Sequence, residues 1–100
     1  MRPYETMLLL DARRDDAEIE QTINSFTALV TERGGEIAGV DRWGRRKLAY
    51  EIEDHTDGFY AVFTYSIEPE HRAEIEAALP FVEGLVRAKT VRRDIRTRGT

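Results

Sequence analysis

Arg42, Arg45, Arg46 and Lys47 place four positive charges within six residues, with no acid after Asp41 until Glu51. The last three are consecutive and run straight into Leu48-Ala49-Tyr50, the start of an alternating strand pattern. The chain around them is acidic, with a formal net charge of -4. A compact cationic block on a net-acidic protein suits phosphate, and what it offers is backbone contact with counterion release rather than bond-making. A second imbalance lies at the other end. Gly84 to Thr100 carries a charge of +5, including Arg87, Lys89, Arg92 and Arg93, whereas Met1 to Glu83 carries -9. Such asymmetry marks an interaction surface.

Edge protection also explains part of the block. Lys and Arg on an edge strand discourage pairing with another chain. Three adjacent cations exceed that need, and since neighbouring strand residues point to opposite faces, they wrap a rim rather than line one side.

Signals for catalysis are sparse. His55 falls in a turn and His71 at a helix start, in no metal-ligand spacing. Glu51, Glu53, Asp54 and Asp57 cluster without a calcium-loop pattern and read as a solvated turn. Gly34-Gly35 follows a helix, so it is a helix stop and not a phosphate cradle. The chain has no cysteine, which excludes disulfides and thiolate chemistry. No catalytic residue, metal site, cofactor or small-molecule substrate is implied.

These residues need a scaffold, and one hundred residues suit a single domain with its own core. Residues 1–95 read as that domain and 96–100 as a short basic tail. The apolar run Met7 to Leu10 is too short for a signal peptide or a spanning helix, so a cytosolic location is expected. Arg2 to Leu10 reads as a strand. Asp15 to Arg33 reads as a helix: Ile19, Ile23, Phe26 and Val30 share one face, and Asp15 with Glu18 makes a capping box. Glu36 to Glu53 reads as a long strand with Ala38, Val40, Leu48, Tyr50 and Ile52 on one face and a bulge or bend at Trp43-Gly44. Leu48 and Tyr50 are expected to hold it to the core. Asp54 to Gly58 reads as a hairpin loop. Phe59 to Ile67 is a strand with Phe59, Ala61, Phe63, Tyr65 and Ile67 inward. A second helix starts at Glu68-Pro69 and ends at Pro80, and Leu85 to Ile95 forms the last strand.

That order gives an α+β fold, a ferredoxin-like βαββαβ sandwich: a four-stranded antiparallel sheet with two helices on one face. The expected spatial order is four, one, three, two, which leaves the second and last strands as edges. RNA-recognition motif domains share this strand order and stack bases on sheet aromatics. Their third-strand signature is met here only at Gly58, Phe59 and Val62, so that module is rejected. Tyr60 is left as the exposed candidate for stacking.

Within this framework the chain resembles the bacterial small-subunit ribosomal protein six family. Met1-Arg2-Pro3-Tyr4-Glu5 is similar to that family's start, and Gly44-Arg45-Arg46-Lys47-Leu48-Ala49-Tyr50-Glu51-Ile52 resembles its best-known signature. Gly58-Phe59-Tyr60 and Leu85-Val86-Arg87 resemble the entries to its third and last strands. The resemblance spans nearly the whole chain, although the acidic C-terminal extension of some relatives has a short basic tail in its place here. It implies a non-catalytic structural constituent of the cytoplasmic small ribosomal subunit. Such a protein binds the central domain of small-subunit ribosomal RNA as a heterodimer with ribosomal protein eighteen. By position, the resemblance makes Arg2, Arg45, Arg46, Lys47 and Arg87 RNA-facing, and charge reasoning adds Arg92 and Arg93. Two other classes fit the same strand order: a small enzyme or ligand-binding domain, which requires a concave pocket with convergent polar groups, and a homo-oligomeric scaffold paired through its edges.

Overall fold

The computed structural model describes residues 1–93. The strands and helices are β1 (Arg2–Asp11), α1 (Asp16–Glu32), β2 (Glu36–Ile52), β3 (His55–Ile67), α2 (Pro69–Ala78) and β4 (Leu85–Arg92), with a 3-10 turn at Leu79–Phe81 before β4. The sheet runs β2-β3-β1-β4 with every neighbouring pair antiparallel, so β2 and β4 are the edges as the strand order implies. The end of the expected last strand, Ile95, and the tail 96–100 lie outside the described residues.

Local chemistry sets the helix limits. Asp15 accepts a hydrogen bond from the Glu18 backbone N–H at 2.8 Å, and Glu18 accepts one from the Asp15 N–H at 3.1 Å, which completes the capping box. Gly34, at φ 83°, ends α1. Pro69 opens α2, where its missing N–H costs nothing.

The core lies between the sheet and the helices. Ile19, Ile23, Phe26 and Val30 of α1 and Ile75 of α2 join one buried cluster with Tyr4, Leu8 and Leu10 of β1 and the five inward residues of β3. Both helices therefore cover the same face. The Phe26 and Phe63 rings pack with centres 4.5 Å apart, tilted by 53°. Burial raises the Tyr65 hydroxyl pKa, and its bond to Thr6, 2.7 Å, continues to Thr90 at 2.8 Å, tying β3, β1 and β4 together inside the protein.

Two sequence expectations fail, both in the β2–β3 region. The hairpin loop is not Asp54 to Gly58. The turn is Glu53-Asp54, both at positive φ (48° and 69°), with Ile52 opposite His55. Asp57 and Gly58 lie in β3, facing Lys47 and Arg46. The Asp57-Gly58 pair reads as a turn, yet Gly58 serves as a close-approach residue: a Cβ there would sit 2.1 Å from Leu9 Cδ1. The expected single inward face of β2 also fails, because the β2–β3 register shifts at three places. Ile37 and Val40 reach the core, whereas Ala38 is exposed and Tyr50 is 71% exposed. Leu48, half-buried, is not in the core either. It lies with Leu9 over Gly58, on the sheet face away from the helices.

Candidate nucleic-acid interface

The basic block is divided by one extra residue. In β2, Arg42 faces Ala61 and Gly44 faces Tyr60, so Trp43 has no partner in β3. Gly44 has φ 88°, a backbone region that suits glycine, and the bulge forms where the sequence places one. Without it, Arg42, Gly44 and Arg46 would share a face. With it, Arg42 and Arg45 share the helix face, and Trp43 and Arg46 take the open face.

The helix-facing half is neutralised. Arg42 makes a two-pronged contact with Glu20, Nε to Oε2 at 2.7 Å and Nη2 to Oε1 at 2.9 Å. This hydrogen bonding holds the Glu20 carboxyl below its ordinary pKa and raises the Arg42 guanidinium. Arg45 pairs with Asp16 at 2.9 Å and donates to the carbonyls of Ala12 at 3.1 Å and Arg14 at 2.9 Å. Its guanidinium lies 5.9 Å from the Phe59 ring centre. Asp16 and Glu20 are one helical turn apart on α1, so two arginines at the bulge meet two acids on the helix.

The rest of the block is free: Arg46 lies on the open face, and Lys47, opposite Asp57, returns to the face of Arg45. Arg46 and Lys47 are exposed and form no ion pair among the described residues. Arg46 sits 5.5 Å over the Trp43 ring. Trp43, 45% exposed, donates from Nε1 to Asp41 at 3.1 Å and lies 6.2 Å from the Tyr60 ring.

The other expected cations are dispersed. Arg87 is exposed on the β4 edge opposite Leu9, and Arg92 is exposed opposite Tyr4. Arg2 is exposed at the start of β1, and Arg93 is half-buried with its Nη1 3.9 Å from Glu5. Along β1 the span from the Arg92 partner, Tyr4, to the end beside Gly58, Asp11, is about 23 Å at strand rise. The seven residues thus form no single patch. Arg46 and Lys47 stand at one end, Arg2, Arg92 and Arg93 at the other, and Arg87 lies between. Sequence reasoning missed which side Arg45 and Trp43 take. Only the bulge signal at Trp43-Gly44 bears on it, and that signal does not give the direction.

Near the hairpin, Arg13 donates to Asp11 through its side chain at 3.0 and 3.1 Å and through its N–H at 2.9 Å. The Arg13 side-chain bond chiefly lowers the Asp11 pKa from 3.8 to about 2. His55 is half-buried at the start of β3, with Nδ1 3.7 Å from Asp11 Oδ1. The His71 side chain meets that of Glu74, three residues on in α2, at 3.2 Å. No cluster among the described residues could hold a metal ion, and no helix there is long and apolar enough to cross a membrane.

Residues 3–92 match the family model described as Ribosomal protein S6. The chain belongs to that family. It is 39% identical over 94 residues to the small ribosomal subunit protein bS6 of Mycolicibacterium paratuberculosis, covering 94% of this chain and 98% of that one. The bS6 of an Arthrobacter species is 38% identical over 92 residues, covering 92% and 91%. The crystal structure of 30S ribosomal protein S6 from Thermotoga maritima superposes with a TM-score of 0.90 at 29% identity, over 98% of this chain and 94% of that one. Membership in the S6 family makes this chain a non-catalytic structural constituent of the small ribosomal subunit, in the cytoplasmic ribosome.

Proposed function

We propose that this S6-family chain binds the central domain of small-subunit ribosomal RNA together with ribosomal protein eighteen. The observation that carries the reading is the division of the basic block. Arg42 and Arg45 meet acids on α1, which leaves Arg46 and Lys47 exposed and unpaired among the described residues. Cations without a protein partner are the ones that gain by meeting phosphate. Arg87 extends this surface to the opposite edge, and Arg2, Arg92 and Arg93 make a second, smaller contact region. Arg45 belongs to the same signature but acts through its contacts with α1 and the loop before it. A few free cations on a net-acidic chain give weak, salt-sensitive binding alone, and a protein partner that adds charge and surface makes the assembly tight.

The test is a titration of a central-domain RNA fragment with the chain, alone and with protein eighteen, across salt concentrations. Arg46→Ala and Lys47→Ala should each lower the salt slope by roughly one per lost phosphate contact, uniformly across sequences. Unchanged slopes in both variants would remove these residues from the interface. Sedimentation with small subunits, with and without ribonuclease, tests the assembly as a whole.

A further inference from the structure

The sheet face away from the helices is neither bare nor uniformly apolar. The strand register builds it in cross-strand rows. Tyr60, Leu9 and Arg87 form one row, with Trp43 beside Tyr60 at the bulge; Val62, Met7 and Lys89 form the next. Two adjoining depressions of about 320 and 220 Å³ share Met7 and Lys89. One is lined also by Leu9, Tyr60, Arg87 and Ala88, the other by Glu5, Trp43, Val62 and Val91. The floor is therefore apolar and aromatic, and its rim carries Arg46 on one edge and Arg87 and Lys89 on the other. Four strands spaced about 4.8 Å apart set these two edges about 14 Å from each other. None of the three cations has an ion-pair partner among the described residues.

We propose that this face holds an unpaired segment of RNA, with a base stacked at Trp43 and Tyr60 and its flanking phosphates met by Arg46, Arg87 and Lys89. Three observations select that occupant. The face carries three cations without ion-pair partners among the described residues against two acids, Glu5 and Asp41, which are already engaged by Arg93 and by the Trp43 N–H, so the uncompensated charge is positive and suits an anion. The floor offers two aromatic rings 6.2 Å apart with an arginine over one of them, the combination that binds single strands without reading their sequence. Trp43 is held in place by its bond to Asp41, which lowers the cost of ordering it on binding. A duplex cannot use the floor, because its bases are stacked and inaccessible. The proposal rests on the RNA-binding reading above and adds Trp43, Tyr60 and Lys89 to it.

The chain carries its own probe, since Trp43 is the only tryptophan. Fluorescence of the full chain is followed during titration with a short oligouridylate and with an RNA duplex of equal phosphate number. The expected result is quenching of Trp43 emission by the single strand and none by the duplex. Binding of end-labelled oligouridylate, followed by anisotropy, should weaken about 5- to 150-fold in Trp43→Ala and in Tyr60→Ala, the loss of one stacked base. Duplex binding should stay unchanged in both. Circular dichroism melting establishes that both variants fold. Emission unaffected by the single strand, equal quenching by the duplex, or full affinity in both variants overturns the proposal. So does shielding of Trp43 from acrylamide by protein eighteen but not by RNA, which assigns the face to a protein. A salt slope that still falls in Arg46→Ala keeps the broader RNA-binding reading in all of these cases.

Discussion

Arg45 Nη1 lies 2.9 Å from Asp16 Oδ1, at the N-terminal turn of α1. The arginine most central to the basic block thus points at the protein. The same guanidinium donates to the Ala12 and Arg14 carbonyls, and so closes the loop between β1 and α1 against the β2 edge. Arg42 repeats the contact one helical turn further along, at Glu20. Together they fasten an edge strand to a helix.

Arg45→Ala and Arg46→Ala should therefore separate. Arg45 is 43% exposed and Asp16 87%, so the ion pair itself contributes little, and the loop hydrogen bonds bring the total to about 1 kcal/mol. Arg45→Ala should lower Tm by roughly 4–8 °C and speed hydrogen exchange from residue 12 to residue 16, with the salt slope of RNA binding retained. Arg46→Ala should leave Tm in place and reduce the slope. Melting curves and salt titrations on the two variants check both halves. A slope lost in Arg45→Ala without a change in Tm would show that Arg45 contacts RNA after all.

What the sequence made legible, and what it hid, follows from how local each determinant is. The capping box of Asp15 and Glu18 and the stripe from Ile19 to Val30 are set within a few turns of one helix, and they stand as read. The inward face of β3 is likewise a plain period of two. The fate of Arg45 and Arg46 depended on the direction of a bulge, which exchanges the faces of every later residue. The bulge position was readable from Trp43-Gly44, but its consequence was not. Gly58 misled for a related reason: what demands glycine there is Leu9, nearly fifty residues earlier in the chain, and not a turn.

Those two glycines should respond differently to alanine. At Gly44 the open space is ample, with nothing within 4 Å of a built Cβ, but φ is 88°. Gly44→Ala should lose about 1–2 kcal/mol through backbone strain alone, and Gly44→Asn, which tolerates that region better, should lose less. At Gly58 the Cβ would strike Leu9, so Gly58→Ala should lose about 1–3 kcal/mol through overpacking. Shortening Leu9 to Ala in the same chain should relieve that clash. Urea denaturation of the four variants and the double mutant decides it. An additive result for Gly58→Ala with Leu9→Ala would contradict the close-approach explanation.

Acid should weaken the hairpin end of the sheet. Hydrogen bonding from Arg13 depresses the Asp11 carboxyl from 3.8 in the unfolded range to about 2 in the folded protein. A depressed carboxyl contributes stability that is full above its unfolded pKa and is lost as pH falls through its folded pKa. The contribution should thus be complete above about pH 4 and disappear between pH 4 and pH 2. Arg13→Ala removes the principal cause, so its stability deficit should be constant near neutrality and shrink through that window. Thermal unfolding at intervals from pH 2 to pH 7 measures the difference. A deficit that does not shrink on acidification would mean that Arg13 acts through something other than Asp11.

The Tyr65–Thr6–Thr90 chain of hydroxyls offers the sharpest internal test, because its members lie on three strands and Thr6 and Tyr65 are almost fully buried. Tyr65→Phe removes one hydroxyl and leaves Thr6 bonded to Thr90, so it should lose about 0.5–1.5 kcal/mol. Thr6→Val keeps the shape but strands the Tyr65 hydroxyl in the core without this partner, and should lose about 1–3 kcal/mol. In the double variant no stranded hydroxyl remains on Tyr65. Its loss should fall short of the sum of the single losses by about 0.5 kcal/mol or more, the coupling expected of directly bonded groups. Thr90 is only half-buried and can turn to water, so it leaves no second orphan. Equilibrium unfolding of the four proteins gives the cycle. Strict additivity would mean that the 2.7 Å contact contributes nothing to holding β1 against β3.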